Sequence, residues 1–194
     1  MLIACVDMEG VLIPEIWPYI AEKTGISELA ITTREVPNYN LLVQRRITLL
    51  KENNLTLKDI QIIVNELNPY HGAKSFLDKL EGNYQILLVS DAFFDLIQPL
   101  LKKLGSPKIE CHRFEINDQG FIEDAIYVRK DKAEVIKRYK VKNIKTLAIG
   151  DAFNDLGMLN SADKSFLFRP SEETANKASN LNIVYSYEDI LLGL

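Results

Sequence analysis

The sequence predicts an α/β protein, a doubly wound parallel sheet with a small all-helical cap inserted after the first strand. Three observations lead there. Short apolar runs without helical period recur along the chain, and most stop at a polar residue. Amphipathic helical patterns separate these runs, which is the alternation of a parallel sheet. Between the first run and the others, from about Pro14 to Pro69, helical patterns occur and no convincing strand does.

The first run, residues 2–6 (LIACV), ends at Asp7 and reads as a fully buried strand. Residues 84–89 (YQILLV) form a second, ending at Ser90-Asp91, and residues 146–149 (TLAI) a third, ending at Gly150-Asp151. Residues 165–168 and 183–185 complete the set. Helices are expected over 73–80, 94–104, 132–139 and 155–160, the second of them stopped by Gly105. In the insertion, 41–50 and 57–67 carry apolar residues at three- and four-residue spacing. Residues 109–128 read as a strand and hairpin turning at Asn117-Asp118-Gln119-Gly120. The expected organisation is a core of 1–13 and 72–194 with a cap of 14–71.

The chain has 194 residues, 47% hydrophobic and 26% charged, with a net charge of −4. That length accommodates one α/β domain with a small insertion. No dense basic stripe is present, so nucleic acid is not an expected partner. Cys5 and Cys111 lack metal-type spacing, and Cys5 lies in an apolar run. No stretch approaches the roughly 20 apolar residues of a membrane span, and the N-terminus lacks the basic start of a signal peptide. A cytoplasmic protein without membrane association is expected. Oligomeric state is open, with exposed apolar cap positions that could serve a homodimer.

The informative fact is where the acids fall. In open parallel sheets, ligands bind beyond the carboxyl ends of the strands. Three strands deliver polar groups there: Asp7 and Glu9, then Ser90 and Asp91, then Asp151 and Asp155. Clustered carboxylates repel, and a divalent cation is the simplest reason to gather them. All-oxygen ligands suit Mg²⁺, with Mn²⁺ left open.

These motifs resemble the haloacid dehalogenase superfamily. Asp7-Met8-Glu9-Gly10-Val11 resembles its first motif, Ser90 its second, a lysine at a helix start its third, and Gly150-Asp151-Ala152-Phe153-Asn154-Asp155 its fourth. The cap position resembles the phosphoserine phosphatase branch. Residues 7–15 (DMEGVLIPE), 32–39 (TTREVPNY) and Ser90-Asp91 resemble, within it, the bacterial bifunctional phosphoserine phosphatase/homoserine phosphotransferases.

The resemblance implies a set of roles. Asp7 is the nucleophile that forms an aspartyl-phosphate. Glu9 is the general acid and base. Asp7, the Glu9 carbonyl and Asp151 hold Mg²⁺, and Asp155 is an outer or water-mediated partner. Ser90 and the Asp91 amide bind phosphoryl oxygens, and Asn154 meets phosphate or substrate. Lys132 offsets the charge, with Lys130 as its rival. In the cap, Glu15 suits the substrate ammonium and Arg46 its carboxylate, with Arg34 and Arg45 as rivals. Asp91 would repel phosphate, so its carboxylate is expected to point away or to bind an amine. His71 and His112 read as structural, and Trp17, Tyr19 and Phe153 as packing residues. Phosphoserine is the implied donor and homoserine a second acceptor beside water. Two readings compete: a phosphatase for another small metabolite, such as a sugar phosphate or nucleotide, and a phosphoacceptor or binding domain without turnover.

Overall fold

In the computed structural model, which describes residues 2–178 and 180–194, seven strands form one sheet in the order β4-β3-β2-β1-β5-β6-β7. The strands are β1 (Leu2–Val6), β2 (Gln85–Phe93), β3 (Ile109–Ile116), β4 (Ile122–Ile126), β5 (Lys145–Gly150), β6 (Lys164–Phe168) and β7 (Asn182–Val184). Every pairing is parallel except β3 with β4. β1 is central, and Ile3 to Val6 are buried on both faces. That double burial is why the run is apolar without alternation.

Helices cover the sheet: α4 (Ala73–Glu81), α5 (Phe94–Lys103), α6 (Ala133–Lys140), α7 (Leu156–Ser161), α8 (Glu172–Lys177) and α9 (Tyr187–Leu192). α4 turns Ala73, Phe76, Leu77 and Leu80 inward, the three- and four-residue spacing of one helix face. α9 begins at a capping box between Ser186 and Asp189. Its Tyr187 stacks between Phe76 and Phe168 and donates its hydroxyl to the Val11 carbonyl at 2.6 Å.

Between Pro14 and His71 the chain forms helices and turns without a strand: α1 (Ile16–Thr24), a 3-10 turn (Ser27–Ala30), α2 (Tyr39–Glu52) and α3 (Leu57–Glu66). α2 buries Leu42, Val43, Arg46, Ile47 and Leu50, so an arginine sits inside its apolar stripe. Side chains tie this segment to the sheet. Gln61 donates to the Asp95 carbonyl at 2.5 Å, and Lys103 caps the end of α3 through the Asn65 and Leu67 carbonyls. The hairpin turn at Asn117–Gly120 supports it from below, its Gly120 carbonyl accepting from Leu57 N–H at 2.9 Å.

Several elements depart from expectation. β2 does not stop at Val89 but runs through Ser90 and Asp91 to Phe93, with a register break against β3 between Val89 and Phe93. The helix expected from Lys132 starts at Ala133, with Lys132 as its cap. α1, α8 and α9 were not expected. α8 and α9 are only six residues long, and in α1 Pro18 interrupts the face formed by Ile16, Trp17, Ile20 and Ala21.

Candidate active site

β1 and β2 part at their carboxyl ends beside β5, and the sequence-predicted acids converge there. The Asp7 N–H still donates to the Ile149 carbonyl at 2.8 Å, which extends the β1–β5 pairing by one residue and fixes the carboxylate. Asp7 Oδ1 accepts from Met8 N–H at 2.7 Å and lies 2.8 Å from Lys132 Nζ. Lys132 also reaches Asp155 Oδ1 at 2.7 Å and lies 3.8 Å from Asp91 Oδ2. Burial works against its charge, but Asp155, Asp7 and Asp91 outweigh that and hold the ammonium well above its ordinary pKa. Lys130 is exposed.

Asp155 is fully buried and fully engaged. Its Oδ2 accepts from the Asp151 and Ala152 amides at 3.0 and 3.1 Å, while Oδ1 holds Lys132. It therefore shapes the loop after β5 rather than offering a free oxygen. Asp151 is the opposite case: no hydrogen bond or cation among the described residues reaches its carboxylate. Burial, then Asp155 and Glu15, push it up to about 8.

Ligand oxygens of Asp7, Asp151 and Asp155 lie within 4.8 Å of one another. Gly10 shows how tightly this cluster is cradled. Its φ is +76°, and a Cβ there would lie 2.1 Å from Asp151 Oδ2. An unpaired, half-buried carboxylate next to two more acids fits a hard divalent cation, which would offset the burial and the mutual repulsion that raise Asp7 and Asp151. The Glu9 carboxylate is not part of this cluster. Its Oε1 accepts from Ile16 N–H at 2.8 Å and caps α1. Burial, then Glu15, push its carboxyl up to about 7.

Asp7, Glu9, Lys132 and Asp151 line a cleft of about 1590 Å³ whose walls come from both the sheet and the helical insertion. On the insertion side, Arg46 is 6% exposed, its guanidinium 4.5 Å from the Trp17 ring centre, and donates to the Ile31 carbonyl at 2.8 Å. Burial lowers its pKa to about 10. Glu15 lines the same wall, and crowding by that wall raises its carboxyl. Arg34 reaches the rim of the cleft, whereas Arg45 points to solvent outside it.

Ser90 is buried, its Oγ accepting from Ala92 N–H at 3.1 Å. Asp91 is held on all sides. Arg129 Nη2 donates to its Oδ1 at 2.8 Å, Asn154 Nδ2 to its Oδ2 at 2.9 Å, and the Tyr39 hydroxyl to its carbonyl at 2.5 Å. Burial pushes the Asp91 carboxyl up, but Lys132, Asn154 and Arg129 outweigh it and hold the pKa below the ordinary range.

Sequence reasoning missed Arg129 and the part played by Tyr39 and His112. A lone arginine in the loop before α6 carries no periodic signal. His112 is buried, its Nε2 3.8 Å from Asp91 Oδ1, while His71 is exposed. Trp17 packs as expected but also carries Arg46. Phe153, expected to pack, is 63% exposed at the cleft rim, with Lys177 Nζ 4.8 Å from its ring centre.

Comparison with known proteins identifies the family and the fold. Residues 1–163 match the family model described as haloacid dehalogenase-like hydrolase. The chain is 39% identical over 191 residues to phosphoserine phosphatase ThrH of Pseudomonas aeruginosa, covering 98% of this chain and 93% of that protein. It is 36% identical to a phosphoserine phosphatase of Pseudomonas syringae pv. tomato, over 97% of this chain and 80% of that protein. A solved structure described as a phospho-aspartyl intermediate analogue of phosphoserine phosphatase shares the fold, with a TM-score of 0.81 at 22% identity, covering 100% of this chain and 98% of that one. Motif order, acid cluster and sheet topology lead with these matches to one conclusion: the chain belongs to the haloacid dehalogenase-like hydrolase family.

Proposed function

We propose that the chain is a Mg²⁺-dependent phosphoserine phosphatase that works through an aspartyl-phosphate on Asp7 and also passes the phosphoryl group to homoserine. One observation carries this reading. Lys132 joins Asp7 to Asp155 on the floor of a cleft whose opposite wall presents Glu15 and the buried Arg46. The floor suits a phosphoryl group, and the wall suits an ammonium and a carboxylate. Residues 14–71 act in this reading as the cap that excludes water and reads the amino-acid part.

Asp7 attacks phosphorus in line, forming a P–O bond as the ester P–O bond breaks. Glu9 gives its proton to the departing serine oxygen, and a carboxyl raised to about 7 still holds that proton near neutral pH. Glu9 then takes a proton from the incoming hydroxyl, water or homoserine, as that oxygen displaces Asp7 from phosphorus. Lys132 opposes the burial and the Asp155 charge that raise Asp7, and it offsets charge on the transferring group. Ser90 Oγ and the Asp91 amide hold its oxygens, and Asn154 borders them. Asp7, Asp151 and the Glu9 carbonyl would hold Mg²⁺, with Asp155 behind them, and the bound ion neutralises phosphate charge. The two outcomes share the aspartyl-phosphate and differ only in the acceptor, for which a cleft of about 1590 Å³ leaves room.

The test is phosphate release from L-phosphoserine with Mg²⁺, for wild type and Asp7→Asn, followed by product analysis with homoserine added. Asp7-dependent serine and phosphohomoserine are expected. Turnover of a sugar phosphate or nucleotide in preference to phosphoserine would overturn the cap assignment. Stable phosphorylation of Asp7 without product release would overturn the enzymatic reading.

A further inference from the structure

Among the described residues, the buried side-chain polar atoms without a partner are Arg46 Nε, Tyr127 Oη and Arg129 Nε, and all three residues line the cleft. Arg46 already has a role in the cap. Arg129 has none in the mechanism above, yet it is a charged residue only 8% exposed, placed between β4 and α6. A buried guanidinium persists only where its surroundings compensate it.

Its bonds are specific. Nη2 donates to the Ser90 carbonyl at 2.6 Å and to Asp91 Oδ1 at 2.8 Å, and Nη1 donates to the Glu110 carbonyl at 3.2 Å. Ser90 belongs to β2 and Glu110 to β3, and the β2–β3 register breaks between Val89 and Phe93. The guanidinium fork thus spans the gap where the ladder opens, satisfying one carbonyl from each strand.

Two consequences follow for the group beside Ser90. In a planar trans peptide the carbonyl and the next N–H point in opposite directions. Holding the Ser90 carbonyl therefore fixes the direction of the Asp91 N–H. The second consequence concerns charge. An Asp91 carboxylate beside a phosphoryl group repels it. Lys132 is already bonded to Asp7 and Asp155 and stays 3.8 Å from Asp91, and Asn154 brings no charge. Arg129 brings a full positive charge within hydrogen-bonding distance.

We propose that Arg129 is a positioning residue for the phosphoryl group, cancelling the Asp91 charge and aiming the amide that follows Ser90. This rests on the reading that the phosphoryl group lies at Ser90. It assigns Arg129 to affinity for the anion rather than to the bond-making step.

The test compares wild type, Arg129→Met, Arg129→Lys and the double variant Arg129→Met/Asp91→Asn. The readouts are KM and kcat for L-phosphoserine and the inhibition constant of orthophosphate. Arg129→Met is expected to raise KM and weaken orthophosphate at least about tenfold, with a smaller change in kcat, because it strands a carboxylate beside an anion site. Removing that carboxylate as well is expected to recover at least half of the loss on a logarithmic scale, which a purely structural arginine would not allow. A double variant no better than Arg129→Met overturns the proposal. If Arg129→Met does not fold, Arg129→Lys decides. It keeps the charge but cannot span both carbonyls, so orthophosphate should weaken about three- to tenfold, and unchanged binding overturns the proposal. Wild type that neither hydrolyses a phosphomonoester nor binds orthophosphate would sink the reading of the site, and this inference with it. Wild-type turnover without charge rescue would remove Arg129 alone.

Discussion

Lys132 Nζ lies 2.8 Å from Asp7 Oδ1, and the same nitrogen is bonded to the fully buried Asp155. One ammonium thus fixes the end of β1 to the loop after β5. Replacing it by methionine leaves two buried carboxylates without their cation. Lys132→Met should lower turnover about 1,000-fold. Without Mg²⁺ it should also cost about 3–5 kcal/mol of stability in urea unfolding. An active, equally stable variant would show that the ion triad is incidental.

Gly10 faces Asp151 so closely that no side chain fits between them. Gly10→Ala adds a clash to a positive φ and must displace the Asp151 carboxylate. We expect Mg²⁺ to raise the Tm of wild type and to have little effect on Gly10→Ala. An equal Mg²⁺-induced shift in both would separate Asp151 from cation binding.

Burial, and then the Arg129 charge, lower His112 to about 4. The unfolded chain takes up this proton at the ordinary value of about 6.5. Between those values the unfolded state binds more protons than the folded one, so stability falls as pH drops from about 6.5 to about 4 and levels off below. The gap corresponds to about 3 kcal/mol at most. Urea unfolding of wild type and His112→Gln across pH 4 to 8 measures it. The variant should show the shallower slope, and parallel curves would refute the assignment.

The Tyr39 hydroxyl on the Asp91 carbonyl links the first residue of α2 to the end of β2. Tyr39→Phe removes one hydrogen bond, for which about 0.5–1.5 kcal/mol is expected. Because α2 also carries Arg46, KM for L-phosphoserine should rise severalfold while a small substrate without an amino-acid group, p-nitrophenyl phosphate, is little affected. Equal losses on both would mean that Tyr39 serves the phosphoryl end alone.

Much of the fold can be read from strands with no period and helices with a strong one. β1 is buried on both faces, which the unalternating LIACV run displays directly. α2 places Leu42, Arg46 and Leu50 four residues apart and so buries Arg46, where the sequence leaves Arg34 and Arg45 as rivals. What escaped has local physical causes. β2 continues past Ser90 because Ala92 and Phe93 are buried again, and a polar pair inside a strand looks like its end. Glu9 turns to the first N–H of α1, seven residues on, a contact that a lone glutamate does not announce. Arg129 acts across long sequence separations, 39 residues to Ser90 and 38 to Asp91, and such pairings leave no trace in a single sequence.

Tyr187 closes the loop after β1 from 176 residues away. The aromatic stack that braces the loop beyond Asp7 thus depends on a residue far along the chain. A chain cut before Tyr187 keeps Asp7, Asp151 and Asp155 but leaves the loop after β1 without its brace. Closure over so long a separation is a late and slow event. The loop beyond Asp7 is therefore set only once α9 has docked.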